Sequence, residues 1–200
     1  MALANLWNTR TAILTGLVIT LLGAFYVYQS PTQLDFTQPK PTSGNGVLGL
    51  EFRLIQVSRS PPTLLVTLKN TSPDTPYTLL KWGTPLDPSA LNTGVFTIID
   101  DASGKEVEQD VLQINRKMPP PQEDLVAVAP GAEEELEVVF DKPWVPDYKH
   151  AKYRVKATGL FKGLWVKYGD EVTEKELYAY TESPLSGRRL TTNEVVMEVH

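Results

Sequence analysis

The sequence predicts an all-β protein, an antiparallel β-sandwich preceded by a hydrophobic N-terminal helix. Three observations carry the prediction. From Val47 onward, apolar residues recur at every second position in run after run. Clusters of Pro, Gly, Ser and Asp separate those runs. The long apolar stretch without a charge lies apart from them, at residues 11–28.

That stretch reads TAILTGLVITLLGAFYVY. As a helix rising 1.5 Å per residue it spans about 27 Å, close to the hydrocarbon thickness of a bilayer. Arg10 stands before it, and the next charges after it are Asp35 and Lys40. The positive-inside rule places the N-terminus in the cytoplasm and the rest across the membrane, lumenal or extracellular. Residues 1–30 therefore read first as a retained signal anchor of a secretory-pathway or plasma membrane. A cleaved signal peptide with a secreted product is the second reading, and a buried soluble helix the third. The exit at Ala24 to Pro31 has no Ala-x-Ala pattern, and Phe25, Tyr26 and Tyr28 suit an interfacial belt. Residues 31–46, with three prolines and a Ser-Gly-Asn-Gly end, form a linker.

Residues 47–200 carry the β pattern. Leu48, Leu50, Phe52 and Leu54 alternate with polar neighbours or glycine, and Ile55 breaks the phase, which predicts a bulge or strand end there. Leu64, Val66 and Leu68 alternate; so do Leu136, Val138 and Phe140; Tyr153, Val155 and Ala157; and Val195, Met197 and Val199. Each run has one apolar and one polar face, as a sheet with one wet side requires. Turns fall at Ser60-Pro61-Pro62, Ser72-Pro73-Asp74, Pro119 to Pro121 and Ala129-Pro130-Gly131, and Asp100 to Gly104 predicts a hairpin. A short helix is expected at Thr173 to Leu177, with Thr173 and Glu176 as a capping box.

One detail narrows the sandwich to an immunoglobulin-like arrangement. In Ala151-Lys152-Tyr153-Arg154-Val155, Tyr153 stands two residues before Val155, as a corner tyrosine stands two residues before the cysteine of such folds. Tyr153 is then a residue that fixes the fold. The segment Leu79-Leu80-Lys81-Trp82-Gly83-Thr84-Pro85-Leu86-Asp87 reads as a corner, with Gly83 allowing the bend and Trp82 filling the core.

That corner, the run ending in Asn70-Thr71-Ser72, the run Val95 to Ile99, Pro130-Gly131 and Tyr153-Arg154-Val155 together resemble the pro-domain of fungal deuterolysin-type zinc metallopeptidase precursors. The resemblance covers roughly residues 47–159, and that pro-domain also occurs alone. It implies a partner-binding β-domain that binds, inhibits or assists the folding of a deuterolysin-like peptidase. The peptidase activity itself is not implied. His150 and His200 are the only histidines, so His-Glu-x-x-His cannot form.

Composition excludes other chemistry. With no cysteine, disulfides, thiolate catalysis and cysteine–zinc sites are ruled out. A net charge of −5 and the absence of a basic run argue against nucleic-acid binding. No phosphate loop, nucleophile elbow or calcium loop is present, so the expectation is a non-enzyme without a cofactor. Glu133, Glu135 and Glu137 fall on one outward face, read as a solvated, aggregation-resistant strand face, with a site for a cation or basic partner as the alternative. Asn70 opens a formal N-glycosylation acceptor, and the same Asn can equally begin a turn. The partner-binding candidates are Phe161, Lys162, Trp165, Lys167 and Tyr168, rings and lysines that can form an exposed aromatic and basic edge, with burial of the stretch in the core, through Leu164 and Val166, as the other reading. An adhesion or assembly module tethered by residues 11–28 is the alternative function, and an unrecognised enzyme a third.

Overall fold

The alternating runs become strands whose even and odd residues part to opposite faces. The structure is a computed structural model that describes residues 46–145 and 151–200. The apolar run 11–28, the linker 31–45 and His150 lie outside the described residues. Among the described residues no helix is long and apolar enough to cross a membrane.

One main sheet has the order β1-β2-β6, formed by β1 (Leu50–Arg59), β2 (Pro62–Asn70) and β6 (Glu133–Val139). The other has the order β10-β7-β4, formed by β4 (Phe96–Asp100), β7 (Lys152–Leu160) and β10 (Val195–Glu198), with β9 (Arg189–Thr191) on the far half of β7. A smaller sheet joins β5 (Leu125–Val128), β3 (Tyr77–Leu80) and β8 (Leu164–Trp165). All the pairings are antiparallel.

The two main sheets bury their apolar faces against each other. Phe52, Leu54, Leu64, Val66, Leu68 and Val138 from the first meet Phe96, Ile98, Tyr153, Val155, Ala157 and Met197 from the second. A second, smaller core lies on the third sheet. There Leu80, Trp82, Trp165 and Val172 pack with Leu177 of the short helix α1 (Glu174–Tyr178). β3 serves both cores: Tyr77 and Leu79 join the main one and Leu80 the small one. This double duty is why all four of its residues are buried.

Ile55 does not end the first strand. It stays in phase, points outward beside Leu65 of β2, and is half exposed. The bulge falls further on, between Gln56 and Ser58. An apolar side chain on the solvent face imitates a phase break in sequence. The Asp100 turn does reverse the chain, through Gly104 at φ +68°, but the returning arm makes a single bridge, Ile99 to Glu106, in place of a strand.

Three sheet edges are closed by specific hydrogen bonds. Asn193 caps the outer edge of β1: its Oδ1 accepts from Leu54 N at 2.8 Å and its Nδ2 donates to Leu54 O at 3.0 Å. Gln56 does the same for β10, accepting from Glu198 N at 2.9 Å and donating to Glu198 O at 2.7 Å. Along β4, Gln109 Nε2 donates to Phe96 O, Val107 N to Ile98 O, and Asp100 N to Lys105 O. Each side-chain amide stands in for a missing strand. These two amides join β1 to the β10 side beside the Arg59–Glu198 ion pair at 2.8 Å, and Gln56→Ala and Asn193→Ala are each expected to cost about 1–3 kcal/mol, measured by urea unfolding.

Candidate partner-binding surface

Residues 159–168 leave β7, turn through Gly163, and form β8. Phe161 and Trp165 are not on an exposed edge, being 2 % and 1 % exposed. Phe161 stacks on Phe52 with ring centroids 6.2 Å apart, and Trp165 enters the small core. The expectation of a continuous aromatic edge is corrected on this point: the two rings turn inward because each has a core to fill. The residues of this segment left outside are Leu160, Lys162, Val166 and Tyr168, with Lys167 partly covered.

Lys167 has a structural partner. Its Nζ donates to both carboxylate oxygens of Glu176, at 2.7 and 2.9 Å, and to Glu171 O at 3.1 Å. Glu176 also closes the capping box on Thr173 at the start of α1, as the sequence predicts. The Lys167 hydrogen bond, then those from Thr173, hold the Glu176 carboxyl down to about 2, against an ordinary value of 4.5. The stabilisation this gives is present above the ordinary value and is lost as pH falls toward 2. In Lys167→Met, the NMR-titrated midpoint of Glu176 is expected to move up toward its ordinary value. An unchanged midpoint refutes the pairing.

Lys162 lies along the Trp82 corner. Gly83 adopts φ +73°, and a Cβ there would stand 3.1 Å from Lys162 Cε. Gly159 is required from the other side, since a Cβ on it would come 2.6 Å from Gly83 O. The corner is fixed beneath by polar groups. Asp87 is buried and accepts from Gly83 N, Ser89 N and, at 2.6 Å, Arg116. The Arg116 guanidinium lies 5.5 Å from the Trp82 ring centroid, and Trp82 Nε1 donates to Asp124 at 2.8 Å. Trp82 fills a core at a bend, as its sequence context predicts. Asp87, Arg116 and Asp124 were not legible there, because they meet only through the fold.

Asn70 is fully buried, which removes it as a glycan site in this fold. Its Nδ2 donates to Thr75 O at 2.8 Å and Val128 O at 3.0 Å, and its Oδ1 accepts from Ser72 N at 2.9 Å. Every donor and acceptor of the amide faces protein, so no space or bonding capacity is left for a sugar. Tyr153 is buried on β7 at 1 % exposure. The backbone just upstream, 146–150, lies outside the described residues. Among the described residues no three His, Cys, Asp or Glu side chains converge to hold a metal ion.

The order β1-β2-β6 facing β10-β7-β4 reproduces strands A, B and E opposite G, F and C of an immunoglobulin sandwich. A family model for the immunoglobulin-like domain matches residues 49–199. The chain belongs to the immunoglobulin-like domain family. The chain is similar to an uncharacterized secreted protein of Arthroderma benhamiae, 35% identical over 120 residues. That match covers 58% of this chain and 60% of the relative's length. In this immunoglobulin-like frame Tyr153 falls on the strand-F equivalent, β7, two residues before the buried Val155.

Proposed function

We propose that this immunoglobulin-like domain is a non-catalytic, partner-binding module of the secretory pathway or the extracellular space. The single observation that carries the reading is the outer face of β1-β2-β6. Ile55 and Val57 are each 46% exposed and Val139 37%, around the half-buried Leu65. Apolar side chains grouped on a solvent face beside glutamates match the composition of recognition surfaces. The Arthroderma benhamiae relative is a secreted protein, which supports the location. The resemblance of residues 47–159 to a deuterolysin-type pro-domain makes a peptidase of that class the first partner to test.

The test is co-purification with, and inhibition or assisted refolding of, a purified deuterolysin-like peptidase. A complex that weakens when Ile55 and Val57 are changed to Ser supports the reading. No complex and no effect on peptidase activity or refolding removes the peptidase role. A second reading, a membrane-tethered adhesion or assembly module, is favoured by the apolar run 11–28 and the linker that follows it. Under that reading the full chain resists alkaline carbonate extraction, and Leu17→Asp with Leu21→Asp abolishes insertion. A mature N-terminus between residues 24 and 35 in the medium refutes the tether.

A further inference from the structure

The edges of β1, β4 and β10 are closed by Asn193, by residues 105–109 and by Gln56, while among the described residues no such group bonds to the outer edge of β6. The ladder between β2 and β6 is bracketed by Asn70 N to Ala132 O and Phe140 N to Pro62 O. In an antiparallel ladder bonded and non-bonded pairs alternate. With the observed register, Glu134, Leu136 and Val138 bond to β2, and the N–H and C=O groups of Glu133, Glu135, Glu137 and Val139 point the other way. Among the described residues no strand pairs with β6 on that side. An immunoglobulin sandwich of the constant type has a fourth strand, D, on its A-B-E sheet. Here β5, which precedes β6 in the chain, pairs with β3 in the small sheet, and among the described residues no other strand takes that place.

We propose that the β6 edge is a strand-acceptor site for an extended segment with basic residues at alternate positions. This rests on the partner-binding reading above and names the site and the chemistry of its ligand. Pairing on an open edge supplies main-chain hydrogen bonds, and alternate side chains set specificity. Residues opposite Glu133, Glu135 and Glu137 share their face, so Lys or Arg there meets a carboxylate. Only Lys69, at 3.4 Å from Glu133, offers these three glutamates a cation from within the described residues. Residues opposite Leu136 and Val138 point to the core side, where Leu136 is only half buried, and apolar side chains fit there. The ligand is thus a strand of alternating basic and apolar residues. A second copy of this chain does not fit by its own β6. Antiparallel pairing centred on Glu135 sets all three glutamates against glutamates, and like charges directly opposite are destabilising.

The probe is a synthetic peptide, Thr-Lys-Val-Lys-Val-Lys-Thr with blocked ends, titrated into the full chain at low salt. Expected results are saturable binding and slowed amide exchange at Glu133, Glu135, Glu137 and Val139. The double variant Glu135→Lys, Glu137→Lys is expected to bind about tenfold or more weakly, since it turns two cross-strand attractions into repulsions. Glu135→Pro removes an N–H that takes no part in the β2 ladder, so the ladder keeps its backbone bonds while the acceptor edge loses one, along with the exposed Thr67–Glu135 side-chain bond. The same peptide N-methylated at alternate residues loses its donors and tests the point without altering the protein. Failure to bind, equal binding of the N-methylated peptide, or equal binding of an acidic Thr-Glu-Val-Glu-Val-Glu-Thr peptide overturns the strand-acceptor site. Capture of a peptidase partner by a chain that ignores the basic peptide overturns this site alone and leaves the partner-binding reading standing.

Discussion

Arg116→Met is expected to destabilise the domain by about 3–5 kcal/mol, among the largest effects of any single exposed or half-exposed side chain. The reason is Asp87, whose side chain is 0% exposed and whose one salt-bridge partner among the described residues is Arg116, at 2.6 Å. Removing the guanidinium leaves a carboxylate buried without its counter-charge. The N–H groups of Gly83 and Ser89 remain to solvate it, which sets the loss within that range rather than beyond it. The loop preceding Pro119 is also held to the body through this contact, since Arg116 lies over Trp82. Two further variants separate charge from packing. Asp87→Asn alone is expected to destabilise, because it weakens the bond to Arg116. With Arg116→Met in place, Asp87→Asn is expected to recover stability, because an amide is cheaper to bury unpaired than a carboxylate. Urea unfolding of the four proteins closes the cycle, and strict additivity of the two losses refutes the coupling.

Asn70→Asp is expected to cost about 3 kcal/mol or more and to exceed Asn70→Leu in that cost, although Asp is the closer match in shape. Asn70 Nδ2 lies between two carbonyl oxygens, those of Thr75 and Val128. Aspartate sets an acceptor against both, in a position with no exposed surface, where every unmade hydrogen bond costs about 1–3 kcal/mol. The backbone of Asn70 adds to the knot, since its N–H reaches Ala132 O and its C=O accepts from Gly131 N. One residue thus joins the end of β2, the loop 71–76, β5 and the turn into β6. Comparable unfolding midpoints for the Asp and Leu variants contradict this account. An Asn70-linked glycan on folded protein, found by mass spectrometry, contradicts it from another side.

What the sequence discloses here is local. The alternation of Leu64, Val66 and Leu68 needs only the two faces of one strand, and it appears in β2 as read. The Thr173 and Glu176 box lies within four consecutive residues and forms as read. Trp82 and Gly83 mark their bend for the same reason, as adjacent residues with opposed demands. Phe161 and Trp165 turn inward against the exposed-edge expectation because spacing alone does not say whether a ring flanked by lysines faces solvent or enters a core. The small core exists only once Leu80, Trp165 and Leu177 have been brought together. The edge closures are less legible still. Leu54 and Asn193 meet across 139 positions, and a polar residue far along the chain carries no mark of the strand it will cap. The sequon at Asn70 leaves two readings open, since the pattern Asn-x-Ser/Thr fits a buried turn anchor as well as a glycan acceptor, and only burial tells them apart.

Having two separate cores gives the molecule two separate optical reporters. Trp82 and Trp165, half of the four tryptophans of the chain, both sit in the small core. Trp144 borders the large one, and Trp7 precedes the sandwich in the chain. Emission intensity therefore follows mainly the annex built on β3, β5, β8 and α1, whereas far-ultraviolet ellipticity follows the long ladders of the two main sheets. When the annex opens by itself, the fluorescence transition precedes the ellipticity transition on heating or in denaturant. When the two halves melt as one, the curves superimpose.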